Sequence, residues 1–402
     1  MHGSTEVTTE EKVKKPGKGK TVLAGLVRRA SGVKLPDSRL LGSIDFTFLV
    51  VVLVLVAFGL GMVFSASYYY SINNYDNPFY YLIRDGVWVV LGLVLMWIGT
   101  IVDYRKYWGW YIVVLGVMIL LLIVVLTPIG IEVNGARRWL GVGSLTIMPG
   151  ELVKMGLILF IARYFSEKPE RIHSWKEGML PMLGIMIVCA LLIIKQPNLS
   201  TAITVCGIIV CMMLICGMKW RYVGFCFAAG AVGIFSIVTF LPNSHWASRI
   251  TSFLDPFADM LGDGYQVAQS LLALGSGGLF GVGIGKSVQK SLYLPEPQND
   301  FILAIIGEEL GFVGVLALLL VYCIFIWRGV RIAMNAPDQF GMLIASGIVI
   351  MVALQVILNV AVVTSTMPAT GINLPYVSYG GNALMMFMFL AGVMLNISRH
   401  EQ

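Results

Sequence analysis

Long apolar runs separated by short polar stretches occupy the 402-residue chain from Asp45 almost to its end. A bilayer core about 30 Å thick takes roughly 20 helical residues to cross, and on that measure the chain predicts about ten spans. They run over Asp45–Ser65, Gly86–Ile101, Trp110–Leu126, Pro149–Phe165, Met179–Ile194, Leu199–Met218, Tyr222–Leu241, Phe301–Trp327, Gly341–Val363 and Gly380–Ile397. The expected fold class is therefore an all-α polytopic membrane protein. Between the seventh and eighth spans lies a large loop, 242–299. Its middle, "YQVAQSLLALGSGGLFGVGIGKSVQK", mixes an apolar helical stretch with many glycines and predicts a re-entrant or interfacial element shielded by the bundle.

Composition strengthens this reading. Apolar residues make up 57% of the chain and charged residues only 12%, against about 25% charged in a soluble globular chain. Nine of the first 40 residues are Lys or Arg, and further basic residues fall in alternate loops (Arg105 and Lys106; Lys168, Arg171 and Lys176; Lys219 and Arg221; Arg328 and Arg331). This bias predicts cytoplasmic termini. Three parts follow: a basic tail, 1–43, without apolar periodicity and read as disordered; a membrane domain, 44–398; and a short cytoplasmic C-terminus, 399–402. A cleaved signal peptide is the weaker reading of the first span, because its apolar core exceeds the usual 7–15 residues.

The same topology leaves Arg84, Arg137, Arg138, Lys195, Arg249, Lys286 and Lys290 on the outer side. Each alone reads as ordinary loop charge, but together they suggest an anion site. The six cysteines lack close C-x-x-C pairing and read as small core residues. Of the four histidines only His245 falls in an outer loop, which leaves no zinc site and no histidine-based triad.

Candidate chemistry lies in "LYLPEPQNDFILAIIGEELGF", where Asp300 heads the eighth span and Glu308 and Glu309 follow two turns deeper. A charge near the middle of a membrane helix costs at least about 2.5–3.5 kcal/mol, so each needs a partner, water or a function. Asp300 reads either as a helix N-cap or as a base reaching a substrate. The two glutamates read as buried partners of a base on another helix. At helical spacing Gly307 and Gly311 share the face of Asp300, so another helix or a lipid chain could approach beneath it. In "IMPGELVKMG", Glu151 and Lys154 share a face three residues apart. "NGARRWL" sets two arginines beside Trp139, a combination suited to a phosphate with a sugar or apolar face. "KQPNLST" and "TMPATGINLPYVSYGGN" fall on the same side. The convergence predicts an enzyme acting on a lipid-linked phosphate, with no glycine-rich nucleotide loop.

Five motifs, "NGARRWL", "PGELVK", "QPNLST", "YLPEPQNDFILAIIGEELG" and "GINLPYVSYGGN", resemble in order and topology the SEDS family (shape, elongation, division and sporulation), over nearly the whole chain from Asp45. "KSLYLPEPQNDF" and "LNISR" are closer to its FtsW and SpoVE branch than to RodA. The resemblance implies a peptidoglycan glycosyltransferase in the bacterial cytoplasmic membrane that polymerises lipid II on the outer face. The partners it implies are a class B penicillin-binding transpeptidase and other division or sporulation membrane proteins, with no nucleic acid. No cofactor follows from it, and a divalent cation remains compatible. Asp300 matches the family's essential aspartate, and Arg138, Glu151, Lys154, Lys290 and Glu308 match motif positions. Expected substrate-binding residues are Arg137, Arg138, Lys290, Glu296, Gln196, Ser378 and Tyr379; expected cavity-shaping residues are Glu151, Lys154, Glu308, Gly307 and Gly311. Three positions depart from the family pattern: Asn198 for Asp, Gly150 for Ser and Asn382 for Ser.

The implied chemistry is an inverting transfer. Asp300 would take the proton of the acceptor sugar's 4-hydroxyl as that oxygen attacks the donor's anomeric carbon, while Arg138, Lys290 and Arg137 would stabilise the departing undecaprenyl pyrophosphate. Gly307 and Gly311 would border a groove for the polyprenyl chain. A lipid II flippase and a non-catalytic scaffold are the competing readings. A flippase needs charges through the full depth of the bilayer, and a scaffold tolerates loss of Asp300.

Overall fold

The computed structural model describes residues 42–133, 135–142, 145–225, 228, 253–258, 262 and 264–400. Residues 1–41 of the basic tail, all of the seventh expected span beyond Phe225 except residue 228, His245 and Arg249 lie outside the described residues.

The helices are α1 (Phe46–Tyr75), α2 (Tyr80–Ile101), α3 (Tyr111–Val124), α4 (Pro149–Glu167), α5 (Leu180–Ile194), α6 (Leu199–Ile215), α7 (Tyr265–Gly277), α8 (Ile302–Met334), α9 (Gln339–Val363) and α10 (Gly381–Ser398). Six stretches among the described residues are long and apolar enough to cross a membrane: α1, α2, Trp175–Ile194, α8, α9 and α10. The chain is therefore a multi-pass membrane protein. Helices α3 and α6 are apolar but shorter, and α4 carries Glu151, Lys154, Arg163 and Glu167. The helix ends have local causes. Asp45 caps α1 by accepting from Phe48 N–H at 2.8 Å, and Pro149 opens α4 where no amide donor is required.

Between α3 and α4 the chain forms a small antiparallel sheet, β1 (Ile131–Val133), β2 (Ala136–Val142) and β3 (Leu145–Ile147), in the order β1-β2-β3. Arg137 stands opposite Glu132, and Trp139 opposite Ile131. At the far end of the bundle Tyr104 and Arg105 both bond Asp338, at 2.5 and 3.2 Å, and Arg328 pairs with Asp45 at 2.5 Å.

Helix α8 is broken at Gly311 (φ 68°, ψ −171°). In an unbroken helix the N–H groups of Phe312 and Val313 would donate to the carbonyls of Glu308 and Glu309. Here they donate to Gly278 O (2.9 Å) and Leu279 O (3.1 Å), and Val282 and Gly283 N–H donate to Glu308 O (2.9 Å) and Glu309 O (3.0 Å). The segment after α7 thus supplies both the donors and the acceptors that the break would orphan. Irregular backbone in a membrane helix is tolerated where protein satisfies it in this way. The expectation that Gly307 and Gly311 border an open lipid groove is corrected. A Cβ at Gly307 would lie 2.5 Å from Leu274 Cδ2, and one at Gly311 would overlap the backbone of Leu279 and Gly281. The small residues admit α7 and the segment that follows it, which fill that space.

Candidate functional site

The sheet, the N-terminal ends of α2, α4, α6, α8 and α10, and residues 371–373 surround a cavity of about 1140 Å³. Asp300 lines it immediately before α8. The observed N-cap of α8 is Phe301, with no side-chain capping bond, so the N-cap reading of Asp300 does not hold. The backbone around Asp300 is held from two sides: Tyr379 N–H donates to Gln298 O at 2.9 Å, and Asn359 Nδ2 donates to Asp300 O at 2.9 Å. A Cβ added at Gly371 (φ 72°) would lie 2.9 Å from Asp300 Oδ2, so the bare backbone of Gly371 is what lets this loop come up to the carboxylate.

Among the described residues, three cations and three carboxylates line the cavity: Arg84, Arg138 and Lys154 with Glu151, Glu296 and Asp300. On strand β2 successive side chains leave opposite faces of the sheet. Arg138 therefore faces the cavity, with Nε donating to Gln196 O at 3.1 Å and Nη2 to Pro197 O. Arg137 faces away, half-exposed and paired with Glu132 at 3.0 Å. Lys154 is buried and bonds Glu151 at 2.6 Å, one turn of α4 apart. Glu296 sits in a turn (φ 44°) and accepts from Asn299 Nδ2 at 2.8 Å. Tyr379 meets Tyr81 edge to face at 4.9 Å, and burial pushes its phenol up to about 12 while Arg84 pulls the other way. It is a neutral hydroxyl at physiological pH.

Of the residues singled out in the sequence, Asp300, Arg138, Glu296, Tyr379, Glu151 and Lys154 come together on the cavity wall; Arg137, Lys290, Gln196, Ser378, Glu308, Gly307 and Gly311 do not. Lys290 is buried in a different cluster, with Nζ 2.7 Å from Glu309 Oε1 and 3.0 Å from Ser65 Oγ. Glu308 accepts from Ser287 Oγ and from Val288 N–H at 2.8 Å. These two carboxylates anchor the loop that leads to Asp300. Gln196 donates to Leu122 O at 3.2 Å, and Ser378 Oγ accepts from Leu374 N–H at 2.8 Å, which places both in turn-holding roles.

The three departures have local explanations. Asn198 caps α6, its Oδ1 accepting from Thr201 N–H (3.2 Å) and Ser200 Oγ (2.9 Å), a task that needs an oxygen and no charge. Gly150 faces Thr201, whose Cγ2 would lie 3.2 Å from an added Cβ. Asn382 reaches Thr146 O at 2.6 Å and ties α10 to β3.

Sequence reasoning did not foresee the wall made by Tyr81, Arg84 and Trp88 of α2: the expected span began at Gly86, which left Tyr81 and Arg84 in a loop, Arg84 as one of several outer cations, and Trp88 as an ordinary apolar position. The missed signal was an Arg-Asp pair flanked by aromatics in a helix with no other charge. It also missed Gln355 and Asn359, two amides one turn apart on apolar α9. Among the described residues, no group of three or more His, Cys, Asp or Glu could hold a metal ion.

Comparison with known proteins agrees with this architecture. Stage V sporulation protein E of Bacillus subtilis is 41% identical over 359 residues, spanning 89% of this chain and 98% of that protein. The "Probable peptidoglycan glycosyltransferase FtsW" of Trichlorobacter lovleyi is 36% identical over 360 residues, with 89% and 94% covered. Among solved structures, a chain of a peptidoglycan synthase complex, studied for the coordination of polymerization and crosslinking, superposes with a TM-score of 0.73 at 28% identity, covering 89% of this chain and 98% of that one. The rod shape determining protein RodA of Thermus thermophilus superposes with a TM-score of 0.63 at 29% identity, covering 89% and 96%. The cell cycle protein family model of FtsW, RodA and SpoVE matches residues 45–402, and the chain belongs to that family.

Proposed function

We propose that the protein is a peptidoglycan glycosyltransferase that polymerises lipid II, with Asp300 as general base, at a cavity facing the outside of the cytoplasmic membrane. The observation that carries this reading is the placement of Asp300 on the wall of a large cavity that also holds Arg84, Arg138 and Lys154. The names of the relatives, and the greater Lys and Arg content of the basic tail and of the loops at the other end of the bundle, support it. Asp300 accepts the proton of the acceptor sugar's 4-hydroxyl as the oxygen attacks the anomeric carbon of the donor, and the bond to the pyrophosphate breaks as the new bond forms. One displacement inverts an α-linked donor into a β1,4 product. Arg138 is the group best held for the departing pyrophosphate, because two backbone carbonyls fix its guanidinium plane. Arg84 approaches from α2, and the Glu151–Lys154 pair holds the shape of the wall. A class B penicillin-binding transpeptidase is the proposed partner, in keeping with the synthase complex that the chain resembles.

The test is polymerisation of purified lipid II by wild-type and Asp300→Asn protein, with and without the partner. Loss of a general base costs about 10²–10⁴-fold in rate. An Asp300→Asn protein that folds normally and falls by this amount supports the reading. Equal polymer from both removes Asp300 from the chemistry, and none from either with the partner present turns the reading towards lipid transport.

A further inference from the structure

We infer that Asn359 is the positioning residue that holds Asp300 and the strap facing its carboxylate in register, an inference that rests on the reading of Asp300 as the base. Asn359 lies on α9, fully buried. Its single amide nitrogen donates to two carbonyls from separate parts of the chain, Asp300 O at 2.9 Å and Ile372 O at 2.6 Å. Only a side chain with two N–H donors on one atom makes this bridge, and the amide of Asn is the smallest that does. The orientation of the amide is fixed by its neighbours: turned over, its oxygen would face two carbonyl oxygens. As placed, that oxygen has no hydrogen-bond partner among the described residues. An unsatisfied buried acceptor is unfavourable, so the site keeps this amide for its donors.

What the bridge fixes is a distance. Ile372 follows Gly371, whose left-handed backbone brings the strap against Asp300 Oδ2. Ser200 Oγ holds Gly371 O from the opposite side at 3.2 Å. One bond of Asn359 therefore sets the Asp300 backbone, and the other sets the surface that its carboxylate faces. A base displaced by about 1 Å from its working geometry loses on the order of 10²-fold in rate without loss of substrate affinity.

The experiment measures lipid II polymerisation and backbone hydrogen exchange in full-length Asn359→Leu and Gly371→Ala proteins, with Asp300→Asn as the reference. Leu replaces the amide with a side chain of similar size and no donor. Gly371 is exposed at the cavity edge, so its added methyl tests the strap without emptying the core. The expected result is a turnover at least ten-fold lower in both variants, with half-saturating lipid II within two-fold of wild type. In Asn359→Leu, exchange is expected to rise together in 295–303 and 366–376. Wild-type turnover in Gly371→Ala overturns the inference even where Asn359→Leu fails to fold. Unchanged exchange in both segments of a folded Asn359→Leu overturns it as well. If Asp300→Asn polymerises as wild type does, the base reading has failed, while the exchange data still decide whether Asn359 links the two segments.

Discussion

Arg137 and Arg138 are adjacent in sequence and differ in almost everything else. Two neighbouring arginines read alike in a loop, and only the strand separates them, since a strand turns consecutive side chains to opposite faces. Arg138 is held by the carbonyls of Gln196 and Pro197, whereas Arg137 keeps an ion pair in solvent. An exposed pair contributes about 0.2–1 kcal/mol, so Arg137→Ala is expected to leave kcat/KM for lipid II within about two-fold. Arg138→Lys retains the charge and loses the planar fork; one well-placed interaction worth about 1.4 kcal/mol corresponds to a ten-fold loss, and at least that loss is expected in the same assay. Lys290 teaches the complementary point. Its residue type and neighbourhood suggest a phosphate ligand, but the sequence does not reveal that Glu309 and Ser65 take its ammonium first. Placement on the cavity wall, by contrast, was legible in the sequence for Asp300, Glu151 and Lys154.

At the scale of elements, apolar run length located most of the helices because bilayer thickness sets that length. It did not locate the sheet, whose strands are too short for a period to register, nor the start of α2, which reaches past the charged pair Arg84 and Asp85. The break in α8 was half-legible. Gly307 and Gly311 signalled a close approach, but the approaching body is the protein's own chain, paired backbone to backbone at 278–283. Gly311→Ala forces a Cβ into a left-handed position and into the backbone of Leu279 and Gly281. The backbone conformation alone costs about 1–3 kcal/mol, so a clearly lowered melting temperature in detergent is expected for this variant. An unchanged melt would mean that the break does not need glycine.

For the whole molecule, the motifs scattered along the sequence meet at one end of the helical bundle, as the alternation of basic and non-basic loops led us to expect. Orientation across the membrane follows from that same alternation. It predicts that a membrane-impermeant maleimide labels Arg137→Cys in intact cells, and that Lys168→Cys, at the opposite end of α4, is labelled only after permeabilisation. The reverse pattern would invert the topology and place the cavity in the cytoplasm.

The three cations and three carboxylates around the cavity have one more consequence. Among the described residues their formal charges cancel, so these groups together project little net field and offer an anion in bulk water little long-range steering. On the proposed function, capture then depends on something other than attraction at a distance. A molecule dissolved in the bilayer supplies it, because confinement to a plane raises its encounter frequency without any charge. The balanced ions are left with the short-range task of choosing which end of the visitor turns inward.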